Sequence, residues 1–213
     1  MERSEIFDDT GNRHLRSQIA AAAARLVADE GLDYGAAKQR GAREVLGNGP
    51  IPRNSLPKND QVDQALLEHL ELFDAQHAER LASMRAVAIA WMHKLERFVP
   101  LATGAVRKGI ATEFAVIHLQ LFFDNGKELQ YFLLDAQIDF ESICVPHFKG
   151  GGDVEAYQFE WQGEGIVLSV YDHDDIKGAL KTGTASAGLT PKAERGNVEA
   201  LIALGHGAEV NRP

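Results

Sequence analysis

The chain has 213 residues, of which 45% are hydrophobic and 25% are charged, a balance typical of globular proteins and not of disordered ones. Its formal net charge is -9, and residues 1–58 are close to neutral, so the acidic excess lies in the rest of the chain. Because a duplex-binding protein usually presents a basic face, this charge disfavours nucleic acid as a partner.

The sequence predicts a cytoplasmic location and no membrane partner. No apolar run approaches the roughly 20 residues that a membrane-spanning helix needs. The first nine residues, MERSEIFDD, are acidic and lack the apolar centre of a secretory signal. Cys144 is the only cysteine, so the chain cannot form an internal disulfide, which is typical of a reducing compartment.

The first part of the chain, residues 1–75, is predicted to be a helical N-terminal region. A helix over 12–30 is indicated by apolar residues at intervals of three and four, followed by a glycine as a stop signal: Leu15, Ile19, Ala22, Leu26 and Gly31. A second helix is predicted over 34–46. The loop over 47–60, GNGPIPRNSLPKND, is rich in proline, glycine and asparagine, and it is the clearest break in the helical pattern.

Two further apolar stripes follow this loop at helical spacing. The first comprises Val62, Leu66, Leu70 and Phe73, and the second comprises Leu81, Met84, Ala88, Trp91, Leu95 and Phe98. Stripes of this kind usually pack against one another or against a sheet, so we interpret Met84 and Trp91 as core residues and not as cofactor contacts.

After Pro100 the pattern changes to that of strands, which are predicted over 115–123, 140–148, 154–162 and 165–171. Gly163 to Gly165 is predicted to join the last two strands as a hairpin. A helix is expected between the first two strands, at 126–137, and another near 191–204. The order predicts an α+β fold, a mixed sheet covered on one side by helices, in a domain over 76–213. Cys144 falls within an apolar strand, where packing is the expected role.

The stretch TGAVRKGIATEFAVIHLQLFF, residues 103–123, resembles the active-site entrance of the polymerase-β-like nucleotidyltransferase superfamily. Members carry Gly-Ser after a strand, then an arginine and a glycine, and then an Asp-x-Asp pair on the next strand. Here Gly104 and Ala105 take the Gly-Ser place, Arg107 and Gly109 follow, and the strand at 115–123 takes the place of the acidic one. The resemblance covers about residues 80–180 and extends to small bacterial proteins with a helical N-terminal region.

The resemblance implies a nucleotidyltransferase-like domain that grips a phosphate or nucleotide at this turn. The phosphate-binding residues would be Gly104, Ala105, Arg107, Lys108 and Gly109, since a glycine turn exposes backbone amides and basic groups attract phosphate. An active member would also need Mg²⁺ or Mn²⁺ with a nucleoside triphosphate, held by carboxylates.

The sequence departs from the family pattern at all three acidic positions. The first two aspartates correspond to Val116 and His118, and the third falls at about 167–169, where no carboxylate stands. Without these ligands a two-metal mechanism loses its stabilisation of the transition state. We therefore interpret the chain as a non-catalytic relative that acts by nucleotide or phosphate binding or by protein contact.

Two alternatives stay open. In one, the protein is an active metal-dependent nucleotidyltransferase with relocated ligands, for which His118, Glu113 and Glu160 are the catalytic candidates and His118 the metal candidate. In the other, it is an interaction module that forms a homo-oligomer through its N-terminal helices.

Two smaller groups of acidic residues could suggest a metal site but have simpler interpretations. The run YDHDD at 171–175 offers several ligands, but its position between a strand and a short helix predicts helix capping. Asp124 precedes Asn-Gly, which indicates a turn residue.

Overall fold

A computed structural model of the chain describes residues 2–47, 49–52, 54–180 and 194–209. The chain divides into two compact units, the first made of residues 1–77 with 112–114, and the second of 78–111 with 115–213. Among the described helices, none combines the length and the apolar composition needed to cross a membrane.

The first unit contains three helices: α1 (Glu2–Glu30), α2 (Tyr34–Leu46) and α3 (Asn59–Phe73). The bounds of α2 agree with the predicted 34–46. Helix α1 begins at Glu2 instead of residue 12. Residues 2–11 carry no apolar periodicity, so their helix was not predicted, and they contain no proline that would end one.

Small side chains let the helices of this unit approach closely. The buried face of α1 is largely alanine, and α2 contributes Ala37, Gly41 and Ala42. A Cβ atom added at Gly41 would lie 3.0 Å from the backbone nitrogen of Ala23, so a larger residue would push α1 and α2 apart. Helix α3 adds larger apolar side chains, those of Val62, Leu66 and Leu70.

Phe73 was expected to belong to the buried stripe of α3, and this was wrong. Its side chain is 76% exposed, as is that of Leu72. Periodicity indicates which face of a helix a residue occupies, but not how far along that helix its neighbours reach. Phe73 is the last residue of α3, where that difference matters most.

The second unit combines one sheet with helices. Its elements in chain order are α4 (His77–Lys94), a 3-10 turn (Glu96–Phe98), β1 (Leu101–Thr103), α5 (Ala105–Lys108), β2 (Ile117–Phe122), α6 (Gly126–Asp135), β3 (Glu141–Pro146), β4 (Asp153–Trp161), β5 (Glu164–Tyr171), a second 3-10 turn (His173–Asp175), α7 (Ile176–Ala179) and α8 (Val198–Glu209). The predicted start of the last helix, 191–193, lies outside the described residues.

The sheet has the strand order β1-β2-β5-β4-β3. Strands β2 and β5 are parallel, and the other neighbouring pairs are antiparallel. The predicted mixed sheet of an α+β protein is confirmed, and each of the four predicted strands is present. Sequence analysis missed β1, which has only three residues and is too short to show a period.

One face of the sheet packs against helices and forms the main core of this unit. Alternate residues of β2 point to this face, namely Ile117, Leu119 and Leu121. They pack with the apolar stripe of α4 and with residues of α6 and α8. Met84 and Trp91 are at most 1% exposed within this core, as expected.

The opposite face of the sheet carries the alternate residues of β2, which are His118, Gln120 and Phe122. Phe122 belongs to a smaller apolar cluster with Tyr171 of β5 and Ala179 of α7. His118 of β2 lies against Gly104, one of the glycines predicted to bind phosphate.

The hairpin between β4 and β5 differs from the prediction by one residue. Trp161 pairs with Glu164, so the two turn residues are Gln162 and Gly163. Both have positive φ, 54° and 81°, as in the tight turns that match the twist of paired strands.

Candidate functional site

The residues predicted to bind phosphate form a glycine turn between β1 and α5. Gly104 follows Thr103 directly and has φ 64° and ψ -140°, a conformation that side chains with a Cβ rarely adopt. A Cβ atom at Gly104 would also lie 3.3 Å from Cδ2 of His118. Ala105 begins α5, and Gly109 ends it with φ 78°. Both glycines are therefore required by backbone geometry.

Two arginines lie beside this turn. Arg85 of α4 donates from Nε to the backbone oxygen of Val106 at 3.0 Å, and Arg107 donates from Nε to the backbone oxygen of Arg195 at 3.3 Å. Burial, and then the positive charge of Arg107, lower the pKa of Arg85, so the two guanidinium groups are near enough to repel. Within the described residues, neither takes part in an ion pair. We call Arg85 and Arg107 the arginine pair.

Two guanidinium groups that lie together without a counter-ion repel each other, which has an electrostatic cost. A bound dianion would offset this cost, and guanidinium groups bind phosphate oxygens in a bidentate manner. Because their Nε atoms are held by backbone oxygens, the planes of both groups are oriented before any ligand arrives. Lys108 contributes its backbone amide to the turn, donating to the oxygen of Gly104 at 2.9 Å.

His118 lies against the turn and is largely buried. Burial lowers its pKa, because removing the imidazole from water disfavours the charged form. The ring is therefore neutral at neutral pH and adds no positive charge to the site.

Two of the positions that the resemblance assigned to acidic residues lie on neighbouring strands of the sheet, and a third lies beside them. His118 pairs with Val167 in the parallel register of β2 and β5. Val116 lies against Gly165, where an added Cβ atom would be 2.9 Å from Cγ1 of the valine. Mg²⁺ is bound through oxygens, and two valines and a histidine do not fit it. Among the described residues, no group of three or more His, Cys, Asp or Glu side chains is arranged to hold a metal ion.

The two acidic candidates lie in different units. Glu160 lines a cleft of about 470 Å³ in the second unit, together with Asp139 and Glu141. Glu113 belongs to the first unit, where it lines a cavity of about 580 Å³ with residues that include His69.

The acidic run at 171–175 does not cap a helix through its side chains, so that prediction was wrong. Asp175 instead bonds to Nε2 of His147 at 3.1 Å and to Lys149, and these bonds lower its pKa. Asp174 pairs with Lys177 at 2.9 Å. The carboxylates of Asp174 and Asp175 thus pair with basic side chains and not with the backbone amides of the helix.

Asp124 has a second role beyond the predicted turn. Its carboxylate accepts a hydrogen bond from the backbone nitrogen of His173 at 3.1 Å, so it holds the start of the 3-10 turn.

Sequence analysis missed Arg85 and Arg195. Arg85 follows Met84 within the apolar stripe of α4, and its place there was the available signal. Arg195 is 7% exposed, donates to Oε1 of Gln120 at 2.6 Å and lies 4.5 Å from the ring of Phe148. These partners are distant in sequence, so no local pattern could have indicated them.

Comparison with protein-family models, with curated proteins and with solved structures gives no significant match to this chain.

Proposed function

We propose that this protein is a non-catalytic, nucleotidyltransferase-like domain that binds a phosphate-containing ligand, most simply a nucleotide, without a metal ion. The ligand's phosphate lies at the glycine turn formed by Gly104, Ala105 and Gly109. Arg107 and Arg85 provide the positive charge.

The observation that carries this proposal is the arginine pair. Arg85 bonds to the backbone oxygen of Val106, the residue before Arg107, and burial followed by the charge of Arg107 lowers the pKa of Arg85. Neither arginine has an ion-pair partner among the described residues. Each guanidinium uses its Nε for a backbone oxygen, and the planar fork of arginine suits bidentate binding of phosphate. A phosphate dianion matches the charge and the bidentate geometry of this pair.

Two features of the fold support the nucleotidyltransferase-like part of the proposal. Strand β1 ends directly before Gly104, in the order that the resemblance requires. Val116, His118 and Val167 share one face of adjacent strands, as the three acids of a metal site would. Because none of the three is acidic, the charge that metal ions supply elsewhere falls to the arginines.

The proposal is tested by measuring binding of ATP, GTP, CTP, UTP and pyrophosphate by calorimetry, with Mg²⁺ and with EDTA. We expect binding that survives EDTA and weakens at least about tenfold in Arg107→Gln, because a charge-assisted hydrogen bond contributes about 1.5–3 kcal/mol. Arg85→Gln should weaken binding by a similar factor.

Lys177→Gln is the matched control. It also removes one positive charge from the second unit, but its side chain is 81% exposed and pairs with Asp174 away from the turn. Unchanged binding in Lys177→Gln separates a local contact from a general charge effect. Binding that requires Mg²⁺, or that persists in both arginine variants, would refute the proposal.

A further inference from the structure

The two edges of the sheet differ in how they are covered. At the β1 edge, Ala102 and Gly196 exchange two backbone hydrogen bonds, of 2.8 and 2.9 Å. At the other edge, β3 pairs with β4 on its inner side, and no described residue pairs with its outer side. An uncovered edge strand presents unpaired N–H and C=O groups and is a template for another strand.

The direction of the backbone groups on β3 follows from one hydrogen bond. The N–H of His147 donates to the oxygen of Gly152 at 2.9 Å, which continues the β3–β4 register, so His147 faces β4. Backbone direction alternates along an antiparallel strand, so Val145 and Ile143 also face β4. The N–H and C=O groups of Ser142 and Cys144 therefore point out of the sheet edge.

The middle of the outer edge lacks the usual protection against pairing. Natural edge strands carry charged side chains or proline, and in β3 these stand only at the two ends, as Glu141 and Pro146. Residues 142–145 of β3, Ser-Ile-Cys-Val, carry no charge, and the proline comes only at position 146. Ser142 and Cys144 are exposed, and Ile143 and Val145 are half-buried, so this edge has apolar surface still to bury.

The apolar residues of β3 match one another when the strand is reversed about Cys144. Antiparallel pairing at this register sets Ile143 opposite Val145, and it sets Glu141 opposite His147, whose Nε2 already bonds to Asp175. A parallel arrangement would instead set Glu141 opposite Glu141, and like charges that face each other are destabilising. Lys149 follows His147 and lies toward the same end, although it already bonds to Asp175.

We propose that β3 pairs antiparallel with β3 of a second copy of this chain, about a two-fold axis at Cys144. The two five-stranded sheets then join into one. Cys144 exchanges two backbone hydrogen bonds with its counterpart, and the N–H of each Ser142 donates to the oxygen of Pro146 in the other copy. Pro146 has no N–H to donate to the backbone oxygen of Ser142 in the other copy. That oxygen lies at the end of the paired segment, where water can reach it. This dimer does not depend on the proposed phosphate site.

The proposal is tested by sedimentation equilibrium of the full chain and of two variants at Cys144. Cys144→Ser keeps the outward N–H and should remain dimeric. Cys144→Pro removes that N–H from both copies while leaving the bonds to β4 intact, so we expect dimerisation to weaken about tenfold or more. Ser142→Pro acts in the same way and provides a second variant should Cys144→Pro fold poorly, which circular dichroism would show.

The register is tested by disulfide formation. Directly opposed residues of a hydrogen-bonded antiparallel pair have Cα atoms about 5.5 Å apart, within the range of about 4.4–6.8 Å that a disulfide spans. Mild oxidation should therefore cross-link the natural chain through Cys144.

With Cys144→Ser in place, a mixture of Ile143→Cys and Val145→Cys chains should cross-link, whereas each chain alone should not. A monomer at every concentration, a dimer unaffected by both proline variants, or cross-linking of Ile143→Cys with itself would overturn the proposal.

Discussion

At the scale of single residues, the turn around Gly104 shows how strictly backbone conformation limits this site. Gly104 combines a positive φ with a close neighbour, His118. The same neighbour is neutral because burial lowers its pKa. The arginine pair thus supplies positive charge beside the turn, together with Lys108 within it.

We predict that Gly104→Ala lowers the free energy of unfolding more than Gly47→Ala does. The two glycines have similar backbone angles, with φ 64° and ψ -140° at Gly104 and φ 69° and ψ -151° at Gly47. Each substitution should cost about 1–3 kcal/mol of backbone strain. Only at Gly104 does the new Cβ atom also meet His118, because nothing lies within 4 Å at Gly47.

Urea denaturation of the two variants measures this difference. Equal losses would show that the His118 ring moves aside at no cost, and that the glycine is required by its backbone angles alone.

At the scale of secondary-structure elements, helix ends depend on side chains that reach the first amides. Asp33 precedes α2, and its Oδ1 accepts hydrogen bonds from the backbone nitrogens of Gly35 and Ala36 at 2.8 and 3.0 Å. The acidic residues before α7 make no such bonds, since His147, Lys149 and Lys177 bind them instead. In this chain Asp33 caps its helix, whereas Asp174 and Asp175 instead pair with basic side chains.

We predict that Asp33→Ala lowers the stability of the first unit by about 1 kcal/mol, within the range of roughly 0.5–2 kcal/mol for lost N-caps. Asp33→Asn should stay close to the natural chain, because an asparagine oxygen accepts the same two bonds. Denaturation followed by the helical signal at 222 nm checks both variants. If Asp33→Asn loses as much as Asp33→Ala, the carboxylate acts through its charge and not as a cap.

At the scale of the whole molecule, net charge limits the class of anion that can bind. The formal charge of -9 repels the continuous phosphate backbone of a nucleic acid. A single phosphate group meets only its immediate surroundings, where the arginine pair dominates. The proposed binding of a nucleotide is therefore compatible with repulsion of a duplex.

We predict that the protein does not measurably retain duplex DNA at an ionic strength of about 0.15 M, where charges are screened beyond roughly 8 Å. Fluorescence anisotropy of a labelled duplex checks this, with a labelled nucleotide as the comparison. Duplex binding with a steep dependence on salt would show that a basic surface outweighs the net charge.

The sequence by itself determined the α+β class, four of the five strands and the bounds of α2. It did so because these elements carry a local signal: hydrophobic periodicity, strand composition, or glycine and proline at their ends. The resemblance also predicted a glycine turn at Gly104, and the structure has positive φ there and at Gly109. Short β1 carried too few residues to show a pattern, and the exposure of Phe73 depends on the reach of neighbouring helices.

Only the tertiary structure decided which distant residues meet. Arg85 bonds to the backbone oxygen of Val106 in the turn, and Arg195 bonds to Gln120 over 75 positions of sequence. Cys144, expected to be packed within its strand, is exposed because β3 forms an edge of the sheet. Whether a strand lies at the centre or the edge of a sheet depends on which distant segments pair with it. A composition-based prediction of burial therefore fails for Cys144 and succeeds for Met84, whose helix covers the sheet.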